Sequence, residues 1–140
     1  MIEFVVWGNV RGKGRPKFTR VGKYVRTYTD KETVSYENLV KLSYLEQSKI
    51  KYMEDEALSV SIKIFQQIPK STSKKKANEM LMGVIRPNKK PDPDNVIKAI
   101  LDGLNGVAFR DDSQIVHLDC DKYYSNEPRV EVKIWEVNYE

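Results

Sequence analysis

Between positions 91 and 98 the chain reads Pro-Asp-Pro-Asp-Asn-Val-Ile-Lys. Asp92 and Asp94 stand two apart on a segment stiffened by Pro91 and Pro93, since proline fixes its own φ and biases its predecessor toward extended backbone. Carboxylates presented from so stiff a frame suit a site for a hard cation. Lys98 follows Asp94 by one helical turn and leans toward the same spot, and Asp102 lies one turn further on. A second pair, Asp111-Asp112, arrives just ahead of a strand-like run that starts at Ile115. If that strand pairs near the 91–94 segment, three carboxylates converge. Hard oxygen ligands with water positions left open describe Mg2+ or Mn2+ better than zinc. Such a site polarises a phosphoryl oxygen and activates water for in-line attack on a phosphodiester. Taken singly, Asp94 also reads as a helix cap, Asp111-Asp112 as a turn and Lys98 as a solvated helix residue. Taken together, three uncapped aspartates around one helix repel one another unless a cation joins them.

Charge elsewhere in the chain fits a polyanionic partner. The formal net charge is +4. Arg11, Lys13, Arg15, Lys17, Arg20, Lys23 and Arg26 follow one another with no acid among them, and Lys70, Lys74, Lys75 and Lys76 form a second basic stretch. Residues 11–26 and 70–76 are placed to track phosphates, with Arg11, Lys13, Arg15, Lys17, Lys74, Lys75 and Lys76 as the candidate DNA contacts. The sign then reverses: Asp92, Asp94, Asp102, Asp111, Asp112, Asp119 and Asp121 fall within thirty residues. A basic surface around an acidic pocket attracts phosphates and holds a cation among them.

Other chemistries are poorly served. One cysteine, Cys120, excludes an internal disulfide, and with a single histidine, His117, it makes a zinc site or a histidine-dependent triad improbable. Gly12-Lys13-Gly14 lacks the Lys and Ser/Thr of a P-loop, and Asp92-Pro93-Asp94-Asn95 departs from a calcium loop at Val96 and Ile97. No apolar run is long enough for a membrane helix. The first residues lack the features of a signal peptide, so a cytoplasmic location is the expectation.

The elements that must position these residues follow from patterning. Ile2–Trp7 reads as a strand, and residues 18–28 as a small hairpin around Gly22. Asp30 caps a helix to about Gln47, with Val34, Leu39, Leu42 and Leu45, together with Tyr36 and Tyr44, as its apolar side. Leu58, Val60, Ile62 and Ile64 alternate with polar residues as a strand. A helix runs from about Ser73 to Met82 and ends at Gly83. Another starts at Asp94 or Asn95, carries Val96, Ile97, Ile100, Leu101 and Leu104 at helical spacing, and stops at Asn105-Gly106. Ile115–Tyr124 and Arg129–Val137 read as two strands joined as a hairpin. The order predicts an α+β domain over 1–140, a small mixed sheet packed with helices.

The stretch from Pro91 to Gly106, followed by Asp111-Asp112-Ser113-Gln114-Ile115-Val116, resembles the RusA family of Holliday junction resolvases: Asp-x-Asp-Asn at a helix start, a Lys one turn on, and Asp-Asp-x-Gln before a strand. The strong resemblance covers residues 90–122. It implies that Asp92, Asp94 and Asp112 bind the divalent metal, with Asp111 beside them as ligand or support. It implies that Lys98 assists catalysis near the scissile phosphate and that Asn95 contributes to the DNA-facing part of the site. It further implies a Mg2+-dependent homodimer that cuts four-way DNA junctions by paired symmetric nicks, often encoded by prophages. Lys89-Lys90 stands ahead of the motif where some members carry arginines. The expected function is therefore junction resolution in DNA recombination and repair. The alternatives are a non-catalytic DNA-binding protein with a structural acidic cluster, or a nuclease acting on flaps or forks.

Overall fold

A computed structural model describes residues 1–14, 17–28, 31–49 and 52–137. In chain order the elements are β1 (Ile2–Trp7), β2 (Lys17–Val21), β3 (Tyr24–Tyr28), α1 (Lys31–Gln47), β4 (Leu58–Gln67), α2 (Lys74–Leu81), α3 (Pro93–Leu104), a short 3-10 turn (Asp112–Gln114), β5 (Ile115–Ser125) and β6 (Arg129–Glu136). β1, β6, β4 and β5 form one sheet in that order, while β2 and β3 form a separate hairpin. The larger sheet is mixed, antiparallel at β1–β6 and β6–β4 and parallel at β4–β5. This is the α+β architecture that the patterning predicts.

Register explains which side of the sheet is core. Phe4, Val132, Ile62 and Cys120 lie abreast across the four strands, and β1, β4 and β6 bury their alternate residues on this side almost completely. α1 packs against β1 and α3, and α3 against β5. Phe4 meets Tyr44 of α1 edge to face at 5.6 Å. The two helices cross closely at Gly103, where an added Cβ would come within 2.8 Å of the Glu37 carbonyl and 3.0 Å of the Val40 Cβ. Only glycine leaves room for that approach.

Two expectations are corrected here. First, α1 buries only part of the side assigned to it: Tyr36 and Tyr44 are inside and Leu45 packs against the core. Its buried row is Thr33, Tyr36, Val40, Ser43 and Tyr44, while Val34, Leu39 and Leu42 are 42%, 41% and 55% exposed. Thr33 and Ser43 in the buried row are satisfied nearby: Thr33 Oγ1 accepts from the Gly14 N–H at 3.0 Å, and Ser43 Oγ donates to the Leu39 carbonyl at 2.7 Å. Serine and threonine thus sit inside at little cost, which an apolar periodicity overlooks. Second, β5 and β6 are not a hairpin. β4 lies between them, parallel to β5 and antiparallel to β6. The centre goes to the strand whose alternate residues Leu58, Val60, Ile62 and Ile64 are all fully buried. β5 carries Asp119, Asp121 and Lys122 and takes the edge, where charge is tolerated and discourages further pairing.

Helix limits follow capping chemistry. Ser73 Oγ accepts from the Lys76 N–H at 3.4 Å at the start of α2, and Gly83 follows its end with φ +80°. The proposed Asp30 cap of α1 lies outside the described residues. α3 begins one or two residues before the expected start, because Asp92 occupies the cap position and Pro93 the first turn, where a missing N–H costs nothing.

Candidate active site

Asp92, at the cap position of α3, makes no side-chain cap hydrogen bond, so its carboxylate remains available. Asp94, in the first turn of the same helix, is exposed, and the positive helix end favours its negative charge by roughly 0.3–1 kcal/mol. Lys98 is exposed one turn later. Among the described residues none of these three side chains takes part in an ion pair or hydrogen bond.

The segment carrying Asp92 is held from two sides. Beneath it, the Lys122 ammonium of β5 donates to the carbonyls of Lys89 at 2.6 Å and Pro91 at 3.0 Å. Charge-assisted bonds of this kind are about twice as strong as neutral ones. Above it, the loop before β2 lies tight against α3. The Lys13 N–H donates to the Asn95 carbonyl at 2.9 Å. A Cβ at Gly12 would stand 3.0 Å from that of Asn95 and 3.3 Å from that of Pro91. Gly12, Lys13, Lys90, Pro91, Asp92 and Asn95 together line a cleft of about 670 Å3.

Asp112 sits elsewhere along the helix. It shares a cleft with Leu101 and with Ile115–Leu118 at the start of β5. The end of β5, not its beginning, meets the 89–91 segment, so strand and helix run in opposite senses. Asp92 and Leu101 are thus separated by about 13 Å of helical rise. The expected convergence rested on the strand start lying beside 91–94, whereas it is Lys122, near the strand end, that meets this segment. Among the described residues no three of His, Cys, Asp and Glu stand together closely enough to hold a metal ion by themselves. The donor set at the head of α3 nevertheless suits a hard cation, because Mg2+ typically takes one or two protein carboxylates and completes its shell with water and substrate phosphate.

Asp111 and Gln114 build the turn that presents Asp112. The Asp111 carboxylate accepts from the Ser113 N–H at 3.3 Å, while Gln114 Oε1 accepts from the N–H groups of Arg110 at 2.9 Å and Asp111 at 3.0 Å. Gln114 is buried, and its Nε2 donates to the carbonyls of Met53 and Glu56, both at 3.1 Å. Hydrogen bonding to Ser113 lowers the Asp111 pKa below the usual value.

The remaining aspartates are committed. Asp102 pairs with the Lys13 ammonium, which also lies 3.5 Å from Glu37. The hydrogen bond to Asp102 raises the Lys13 pKa. Asp119 accepts from Ser61 Oγ at 2.6 Å and lies 3.4 Å from His117, and Asp121 pairs with Arg86 at 3.1 Å. The acidic run thus separates into partnered residues and the unpartnered pair at the head of α3, with exposed Asp112 further along.

The predicted DNA contacts separate too. Lys13 is turned inward to Asp102 and Glu37, and Arg11 pairs with Glu32 at 2.5 Å while half exposed. Arg15 lies outside the described residues, and Lys17 supplies the first backbone position of β2. Lys74, Lys75 and Lys76 form the exposed first turn of α2, which holds no acid. Lys122 and Gln114 were missed as site residues. Gln114 belongs to the Asp-Asp-x-Gln motif, but its role, like that of a lone lysine in a strand-like run, is unreadable until the distant carbonyls they bind are in place.

A mixed sheet, an Asp-Pro-Asp helix head braced by a strand lysine, and a glutamine-locked Asp-Asp turn define a protein of the RusA endodeoxyribonuclease family. The chain belongs to it: the family's model, described as endodeoxyribonuclease RusA, matches residues 8–135. The match takes in the N-terminal half, where the motifs themselves are silent. The chain is also 36% identical over 139 residues to the Bacillus subtilis (strain 168) protein YqaN, described as uncharacterized, covering 98% of this chain and 97% of that one. Among the described residues no helix is long and apolar enough to cross a membrane.

Proposed function

We propose that this protein is a Mg2+-dependent endodeoxyribonuclease that resolves four-way DNA junctions by paired symmetric nicks in recombination and repair. It would act in the cytoplasm as a homodimer of single-domain 1–140 protomers. The observation that carries this reading is the unpartnered Asp92–Asp94–Lys98 group at the head of α3 in a chain of the RusA family. Like charges left unpaired on a braced frame are costly as structure and useful as a site.

In this reading Asp92 and Asp94 would hold the cation together with a substrate phosphate, and Asp112 would contribute from the turn before β5. When bound, the cation supplies charge neutralisation and an acidified water. Asp111 supports the turn as its cap. Lys98 stabilises the charge that develops on the phosphate, and Asn95 faces the DNA from the neighbouring cleft. Lys74, Lys75 and Lys76 hold phosphates at a helix end whose dipole they otherwise oppose, with Arg11, Lys13, Arg15 and Lys17 as further phosphate contacts. A dimer would bring two such sites to opposed strands of a two-fold symmetric junction.

The test is single-turnover cleavage of a synthetic four-way junction with Mg2+ and with EDTA. Paired nicks that require the cation are expected. Binding without nicking at any Mg2+ or Mn2+ concentration would leave only a DNA-binding protein, and cleavage confined to flaps or forks would move the substrate class.

A further inference from the structure

A second cleft, of about 330 Å3, lies where the end of β1 meets the start of α1. Trp7, Leu39 and Tyr36 contribute aromatic and apolar surface, Arg11 and Lys31 bring cations, and Asn9 offers an amide. Trp7 is 57% exposed, unusual for so large an apolar ring. Its recorded ring contact is the Arg129 guanidinium, 5.9 Å from its centroid. Tyr36 is 94% buried, its exposure being only 6%, and its hydroxyl has no hydrogen-bond partner among the described residues. That hydroxyl is closed off from solvent, so Tyr36 serves the cleft through its ring and not as a hydrogen-bonding group. Lys31 has no ion pair among the described residues, and Arg11 gives one end of its five-donor fork to Glu32.

The cleft and the candidate active site are lined by successive residues of one loop. Arg11 lies in the former, while the next two residues, Gly12 and Lys13, line the cleft that holds Asp92. A strand crossing from one to the other would pass over this short loop. We propose that the cleft binds an unpaired nucleotide of the DNA strand that occupies the Asp92 site. The base would stack on Trp7 above the Tyr36 floor, and its phosphate would meet Arg11 and Lys31. An exposed aromatic face takes any base, and a volume near the lower end for ligand pockets takes one nucleotide and excludes a base pair. The proposal rests on the nuclease reading for the identity of the strand, because unpaired nucleotides are what branch points and flaps offer.

The test separates the two. The chain has two tryptophans, Trp7 and Trp135, so Trp135→Phe leaves Trp7 as the sole indole reporter. Octadeoxythymidylate is titrated in EDTA, alongside an abasic octamer with the same phosphates. Saturable quenching by the thymidylate and little by the abasic strand is expected. By gel shift without the Trp135 change, Trp7→Leu should weaken thymidylate binding between about 5- and 150-fold, the range that base stacking carries, and leave abasic binding unchanged. Equal binding of both octamers, or equal affinity of Trp7→Leu and wild type with an unchanged thermal midpoint, would overturn the proposal. If quenching appears but no junction is ever cut, the nucleotide site stands and the nuclease reading falls. Cutting without base-dependent quenching does the reverse.

Discussion

Asp94 and Lys98 differ from every other charged pair around α3 in having nothing to neutralise them. Asp94→Asn keeps volume and polarity but removes one negative charge facing phosphate. Cleavage is expected to fall by orders of magnitude, while junction affinity holds or rises and the thermal midpoint stays put. Lys98→Ala should slow cleavage without changing the Mg2+ concentration for half-maximal rate. Equal single-turnover rates for wild type and Asp94→Asn would remove this site from the chemistry. Lys122→Met tests the brace below Asp92. Freeing the carbonyls of Lys89 and Pro91 lets the Asp92 segment move, and a displacement near 1 Å costs on the order of 100-fold in rate. The Mg2+ requirement should rise with it, metal-free junction affinity should not change, and Lys122→Arg should restore part of the rate. A rate loss with an unchanged Mg2+ requirement would mean that Lys122 serves only the fold. At this scale the sequence was legible where spacing is local: Asp92, Asp94 and Lys98 share a few residues. It was not legible for Lys13, whose partner Asp102 is 89 positions away, nor for Asp112, whose place depends on which end of β5 meets the helix.

At the scale of elements, α2 sets local charge against its own backbone. Three lysines occupy its first turn and no acid does, so the helix dipole is opposed by about 0.3–1 kcal/mol per charge at low salt. Replacing Lys74, Lys75 and Lys76 together with alanine should stabilise the fold slightly and weaken junction binding. The slope of log affinity against log salt should become shallower by about 2–3. Unchanged affinity and slope would make this turn a solvated surface. The limits of α2 were readable because Ser73 and Gly83 are local signals. The partnership of β5 and β6 was not, because a short connection is compatible both with a hairpin and with a crossing over the end of β4. Comparing burial decides it, since β4 carries the more apolar face. The apolar side of α1 was partly misread for a related reason: Thr33 and Ser43 are inside on the strength of their hydrogen bonds.

Over the whole molecule, Val34, Leu39 and Leu42 leave apolar surface on α1 uncovered, which makes this helix, rich in Tyr and Leu, a candidate interface for the proposed dimer. Sedimentation equilibrium is expected to give a dimer. Replacing Val34 and Leu42 together with glutamate should shift it to monomer while preserving secondary structure, since neither side chain is in the core or in the Trp7 cleft. A wild-type monomer with and without junction DNA would defeat the dimer. The mixed sheet with helices on its apolar face was foreseeable from the order of elements; its strand order was not, because the parallel pairing is a long-range choice.

That parallel pairing also orders events in time. β4 and β5 cannot meet until the whole stretch from Ile68 to Gln114, including α2, α3 and the Asp111–Asp112 turn, has been laid across the sheet. β1, β6 and β4 are joined antiparallel and share the most deeply buried residues, whereas β5 closes the outer edge. Contacts that close so large a loop form slowly. β6 closes longer loops still, onto β4 and back to β1, so the sheet is completed only after the strand bearing Lys122 has been made. A chain stalled before Arg129 would carry β5 but lack β6, the strand that joins β1 to β4, so it would hold neither a continuous sheet nor a finished site.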